Sequence, residues 1–306
     1  ATPSAGPVSG YFGQTAGAAT RGKSVIDFLV QAKEHLKATF DLPFPDGLAL
    51  SDHWQRKQKE LYDYALSVTD PLEAIRWAQN HVNSGFNHRR ESSEESVTKQ
   101  IRALEKRHDF CWATSPYSES DISARDLVTV DGKLASNILC WHLEALLTAS
   151  RYNRLYQVAE IGSGLGELAR LAEFHNNKNM IYVLIDLPAS LFFARLFLEL
   201  ASQENNSGCG LHRLLPVQMV EQEMGPFDCV ISQGSMQEMS PEFVAYWCKF
   251  IDRMTTCFIS LNYPETPIAL PPAWECVHRE RSDGNAELKL ILDAVRIFEE
   301  RVYVKR

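Results

Sequence analysis

Three glycines at alternate positions, Gly162, Gly164 and Gly166, stand between an apolar run and a helical pattern. The stretch 157–188 therefore reads as strand, tight turn, helix, strand. Gln157-Val158-Ala159 is the expected first strand, closed by the carboxylate of Glu160. Residues 167–175 carry apolar side chains at helical spacing: Leu168, Leu171, Ala172 and Phe174. Residues 181–185 are a short apolar run ending in Asp186, the pattern of a buried parallel strand. Glycine at alternate positions lets the backbone turn sharply and lets a ligand approach it closely.

The details choose among ligands. A dinucleotide fingerprint needs its third glycine three residues after the second, and that position is Glu167. A pyrophosphate would sit on the N–H groups of the following helix, where Glu167 already answers the dipole and would repel it. A P-loop is excluded because no Gly-Lys-Ser/Thr follows. An adenosine ligand without phosphate suits the turn better, and S-adenosylmethionine is one. Glu160 could face its positive end, and Asp186 could accept from both ribose hydroxyls.

With 306 residues the chain can hold one large domain or two small ones. A net charge of −8 argues against sequence-independent binding to nucleic acid or to an anionic membrane. Seven cysteines without a C-x-x-C pair read as reduced thiols of a cytoplasmic protein. No run is apolar enough to span a bilayer, and no secretory signal pattern is present.

Residues 1–22 have the composition of a flexible tail or linker. Residues 23–130 read as a helical region, a lid or homodimer surface. Its helices cover 23–40 (Ser24 as cap), a stretch opened by Ser51-Asp52, one opened by Asp70-Pro71, and 91–108. The charges of the last read as a solvated face. Residues 131–306 alternate strand and helix, so the fold class is α/β with a doubly wound, Rossmann-like sheet. The spacing predicts a helix over 134–150 and strands over 214–220, 227–231 and 257–261. Two β-rich runs, 274–279 and 295–304, flank a helix near 287–292.

In such a sheet ligands bind beyond the carboxyl ends of the strands. Methyl transfer to an alcohol needs alignment of the acceptor and a base for its proton. Glu238, on the loop after the fourth strand, is the first candidate base; capping of loop N–H groups is the equally weighted alternative. His88 is the second candidate, with Arg89 and Arg90 beside it, while His175 reads as a partner of its helix dipole. A magnesium site could draw on Glu238 and Asn262, but no Asp-Asp pair follows the fourth strand, so no metal ligand set is assigned.

The series Glu160-Ile-Gly-Ser-Gly-Leu-Gly166, Ile185-Asp-Leu-Pro188 and Gln233-Gly-Ser-Met-Gln-Glu-Met239 resembles the sugar O-methyltransferases of bacterial polysaccharide and natural-product clusters, within the class I methyltransferases. The resemblance covers 134–306. It implies S-adenosylmethionine as donor and a sugar hydroxyl of a small molecule as acceptor. The cofactor contacts expected are Glu160, Gly162, Ser163, Gly164, Gly166, Asp186, Leu187, Gln218, Gln233 and Ser235. A non-sugar oxygen, nitrogen or carbon acceptor, or a non-catalytic binding module, stays open. Asp186→Ala is expected to weaken cofactor binding with thermal stability nearly unchanged.

Overall fold

A computed structural model describes residues 25–45, 48–82, 93–122, 127–175, 180–204, 211–222, 225–292 and 297–306. The first three helices are α1 (Val25–Phe40), α2 (Asp52–Ser67) and α3 (Pro71–Gln79). Ser51 and Asp70 cap α2 and α3 with side-chain oxygens, as their sequence signatures require. Helix α4 (Glu94–His108) and a hairpin of β1 (Val128–Val130) and β2 (Lys133–Ala135) follow. Asp131 and Gly132, both with positive φ, make the two-residue turn between these strands.

The α/β part then runs α5 (Asn137–Tyr152), β3 (Gln157–Ile161), α6 (Glu167–His175), β4 (Ile181–Asp186), α7 (Pro188–Glu204) and β5 (Leu211–Pro216). It continues with a 3-10 turn (Val217–Gln222), β6 (Cys229–Gln233), α8 (Pro241–Met254), β7 (Cys257–Asn262), β8 (Trp274–Arg281), α9 (Ala286–Leu292) and β9 (Glu299–Lys305). The strand expected over 214–220 ends early, at Pro216, and the chain tightens into the 3-10 turn that carries Gln218. The helix expected from residue 134 starts at Asn137, because residues 133–135 pair with β1 instead.

Seven strands form one sheet in the order β5-β4-β3-β6-β7-β9-β8. The pairs from β5 to β7 are parallel, and β9 is antiparallel to both neighbours. The doubly wound α/β expectation holds. The chain moves outward from β3 through β4 to β5, then returns to place β6 on the other side of β3. That reversal opens a crevice at the carboxyl ends of β3 and β6.

Side-chain alternation along the strands assigns the two faces. Val158, Tyr182 and Ile231 face a core built with α5, α6 and α7, and helices α1 to α4 contribute to that same core. Ala159, Ile161, Val183 and Val230 face a second core under α8. Leu42, Phe44, Leu48, Leu50 and Trp54 pack against this second core, although α1 belongs to the first. The described residues between α1 and α2 therefore reach the second core, and α2 returns to the first through Leu61 and Ala65. Phe44 reaches α8, with its ring 6.1 Å from that of Phe243.

The last turn of α4 corrects the solvated-face expectation. Arg107 donates to Glu144 of α5, Glu280 of β8 and Glu300 of β9. His108, also buried, bonds Glu144 at 2.9 Å. The six described cysteines are free thiols, and Cys209 lies outside the described residues. No described helix is long and apolar enough to cross a membrane. The expected tail over 1–22 lies outside the described residues as well.

Candidate functional site

The crevice holds a cleft with about 860 Å³ of empty space, its open mouth included. Its floor is the glycine turn after β3. Gly162 and Gly164 adopt φ values of 76° and 53°, a region closed to most side chains. A Cβ on Gly162 would stand 2.2 Å from the Cβ of Ser235. Gly166 has a different duty: its Cβ would meet Leu184 at 2.9 Å and Leu198 at 3.3 Å, so this glycine lets α6 pack on β4 and α7. Gly162→Ala is expected to drive the turn off the loop after β6 and close the cleft. The measurement is ligand binding beside thermal melting; a variant with wild-type affinity would refute the close approach.

Asp186 ends β4 and is the hub of the turn. Oδ2 accepts from the Gly164 N–H at 2.8 Å and Oδ1 from the Leu187 N–H at 2.6 Å. With Ser190 as a third donor, one of the carboxylate's roughly four lone-pair sites is left for a ligand hydroxyl. Burial pushes this carboxyl up to about 6, against the opposing hydrogen bonds from Gly164, Leu187 and Ser190. Glu238, in the 3-10 turn Met236–Glu238, lines the same cleft. Burial first, and the charge of Asp186 second, push it up to about 7.

Leu187, Val217, Phe243 and Trp247 form an apolar wall. Leu50, Ser51, Trp54 and Val82 complete the lining from the helical region. Of the predicted contacts, Gly162, Gly164, Asp186, Leu187, Gln233, Ser235 and Glu238 converge on the cleft. Ser235 donates to the Ile161 carbonyl at 2.7 Å, and so fixes the loop after β6 against the glycine turn.

Other predicted residues stand elsewhere. Glu160 is buried and accepts from Tyr182 Oη at 3.0 Å, on the helix-covered face rather than in the cleft lining. Burial pushes its carboxyl well up. The strand's alternation explains this: Ile161 points to the cleft, so Glu160 points away. Ser163 is buried and also outside the lining. Gln218 lies one residue beyond the cleft-lining Val217, with its Oε1 buried and unpartnered. His88, with Arg89 and Arg90, lies outside the described residues.

His175 bonds Tyr117 at 2.6 Å, and burial lowers its pKa, which removes it as a cationic dipole partner. Asn262, considered with Glu238 for magnesium, is buried with its Nδ2 donated to Ser260 and Ser232. Among the described residues, the group close enough to share one cation is His278, Glu280 and Glu300, on β8 and β9. Arg107 already bonds both of those carboxylates.

Two polar residues behind the cleft had no sequence signal. His142 of α5 bonds Gln233 Oε1 at 2.8 Å and Glu167 at 3.3 Å. Gln58 of α2 bonds the start of α7. Each is one polar residue in an amphipathic helix, and only the packing of α5 and α2 selects its partners.

Fold and site together define a doubly wound α/β protein with a ligand cleft at its topological switch point. No family model matches the chain, and no curated protein matches it. Among solved structures it is similar to magnesium protoporphyrin IX methyltransferase (ChlM) of Synechocystis PCC 6803. The TM-score is 0.42 at 13% identity, over 78% of this chain and 99% of that one. TrmN of Thermus thermophilus gives 0.42 at 14% identity over 56% of this chain, and the match spans 49% of TrmN. TrmK of M. capricolum, in complex with S-adenosyl-homocysteine, gives 0.37 at 15% identity, over 53% and 68%. Likenesses at this level carry no argument about what this chain acts on.

Proposed function

We propose that the cleft binds S-adenosylmethionine and that the protein transfers its methyl group to a hydroxyl of a sugar or glycosylated small molecule. One observation carries the cofactor reading: the charged residues among the described cleft lining are Asp186 and Glu238, both carboxylic acids. A pyrophosphate would be repelled there, whereas a sulfonium cation is attracted. The apolar wall of Leu187, Val217, Phe243 and Trp247 suits a purine. Asp186 has a spare lone pair for a ribose hydroxyl. Gly162 and Gly164 leave the backbone open to close approach.

The cofactor supplies an electrophilic methyl group when bound. The chain's own residues would hold the nucleoside, align the acceptor hydroxyl and take its proton. Glu238, held near neutrality by burial, is the proposed base. His88 stays the second candidate, and the helical region is read as a lid. The sugar class rests on the resemblance of the Asp-Leu-Pro and Ser-Met-Gln-Glu-Met segments.

The first test is titration calorimetry with S-adenosylhomocysteine beside NAD. Micromolar binding of the former alone, about −8 kcal/mol, supports the reading. Binding of NAD instead would overturn it.

Glu238→Gln separates base from nucleoside contact. As base, its loss lowers kcat on an accepted sugar by about 10²–10⁴-fold with S-adenosylhomocysteine affinity unchanged. A loss of affinity without a fall in kcat would remove it as base. The same variant has a pH signature in stability. The folded pKa of Glu238 lies above the unfolded value, so its ionisation opposes folding as pH rises through about 7. The Gln variant is expected to melt above wild type at pH 8 and level with it near pH 4.

A further inference from the structure

Helix α2 belongs to the helical region, yet it touches the nucleotide corner through a specific set of bonds. Gln58 is 4% exposed, and both ends of its amide are used. Oε1 accepts from the Ala189 N–H at 3.2 Å, and Nε2 donates to Ser190 Oγ at 3.3 Å. Ala189 lies in the first turn of α7, where a backbone N–H has no partner inside the helix. Gln58 supplies that partner from 131 residues away. These bonds fix which end of the amide is oxygen and which is nitrogen. Because Gln58 donates to the Ser190 oxygen, the Ser190 proton is left to face the Asp186 carboxylate, beside which Ser190 lines the cleft and whose pKa it lowers. One turn earlier in α2, Trp54 lines the cleft that Asp186 opens into, and Leu50 and the capping Ser51, just before the helix, line it too.

We propose that α2 is a wall of the cofactor pocket, and that Gln58 is a positioning residue that holds Ser190 and, through it, the Asp186 carboxylate. The proposal rests on the reading of the cleft as an S-adenosylmethionine site. It makes the helical region part of the nucleoside pocket and not only a cover for the acceptor. A ligand that displaces α2 also loosens the carboxylate that grips its ribose, so cofactor release and movement of α2 are linked through three side chains.

Charged groups acting on this corner are Glu160 from β3 and Glu238 from the turn after β6, both left unchanged in the test. On α2, the adjacent Lys57 is engaged by Glu60 at 3.3 Å. The experiment follows Asp186 by carboxyl-carbon NMR in the ligand-free 306-residue chain as pH is varied. Wild type, Gln58→Leu, Ser190→Ala and the double variant are compared, with S-adenosylhomocysteine affinity measured beside each.

Loss of a hydrogen bond to the ionised carboxyl raises its pKa. Ser190→Ala is expected to move the Asp186 midpoint up by about one pH unit and Gln58→Leu by about half a unit. The double variant should move no further than Ser190→Ala alone. Affinity should fall by about tenfold in each single variant and not multiply in the double.

An Asp186 midpoint unchanged by Gln58→Leu would overturn the proposal, as would affinity losses that multiply. A merely loosened α2 would weaken binding evenly at every pH and leave the midpoint in place. Should the leucine variant not fold, Gln58→Met keeps the side-chain length and takes its place. If wild type binds no S-adenosylhomocysteine, the cofactor reading fails, while the ligand-free titration still decides the role of Gln58.

Discussion

Arg107→Ala is expected to cost about 3–5 kcal/mol of folding stability, the usual penalty for stranding buried partners of an ion pair. The guanidinium, 8% exposed, sits among Glu144, Glu280 and Glu300, and two of these carboxylates have no exposure at all. Burial works against the charge of Arg107, yet the nearby carboxylates, Glu144 first, hold its pKa above the ordinary value. Replacement by alanine would strand Glu144 and Glu300 in the interior, with His108 bonded to the first and His278 to the second.

The effect has a predictable pH dependence. Burial opposes the ionisation of Glu144, but bonds from His108 and Arg107 win, and its pKa is lowered from 4.5. A depressed carboxylate contributes stability above its unfolded pKa and loses it as pH falls through the folded value. The gap between wild type and variant should therefore be full at pH 7 and narrow below about pH 4.5. Urea denaturation across pH 4–8 is the check, with Lys106→Ala as a control one residue away. Lys106 is 74% exposed and pairs with Glu287 on the surface, so its loss should be close to neutral. A variant at Arg107 within about 1 kcal/mol of wild type would show that the cluster does not need its cation.

Asp186→Ala is expected to weaken S-adenosylhomocysteine by about 10–10²-fold. One hydroxyl donated to the ionised carboxylate contributes about 1.5–3 kcal/mol. The structure also corrects the sequence-based expectation that stability would be unchanged. The carboxylate receives the Gly164 and Leu187 N–H groups, so its removal leaves both without that acceptor, and a measurable fall in melting temperature should accompany the loss of binding. Relief from burying a carboxyl whose pKa is raised to about 6 offsets only part of this.

In wild type, affinity should decline as pH falls through about 6, where Asp186 takes up a proton and one oxygen ceases to accept. Calorimetry at pH 5 to 8 with the melting curve of each protein tests both halves. Wild-type affinity in Asp186→Ala would end the ribose assignment. Lost affinity with an unchanged melting temperature would mean the glycine turn holds without its carboxylate.

The glycine turn, the acid ending β4 and the caps of α2 and α3 were legible because each is a local constraint. A positive φ needs glycine, a helix start needs an oxygen for its free N–H groups, and a buried parallel strand needs a short apolar run. Those constraints act within a few residues, so their residue types stand in the chain where the structure uses them. The α/β class followed from their alternation, and the converging cleft residues from the rule that ligands meet the carboxyl ends of strands.

What the chain alone left open depends on which distant surfaces meet. The pleat turned Glu160 away from the cleft, a direction that the side-chain period of two settles only once the buried register is known. The charged run of α4 reads as solvated by composition, and only its docking on α5, β8 and β9 supplies the carboxylates that bury Arg107. Gln58 and Ser190 are ordinary helix residues until α2 docks and places one amide against the start of α7. Local geometry is encoded by neighbours in sequence, whereas the electrostatics of a buried group are set by neighbours in space. The sequence by itself therefore determined the turn, the α/β class and the place of the cleft; tertiary packing alone decided which charges are buried together and which helix completes the pocket.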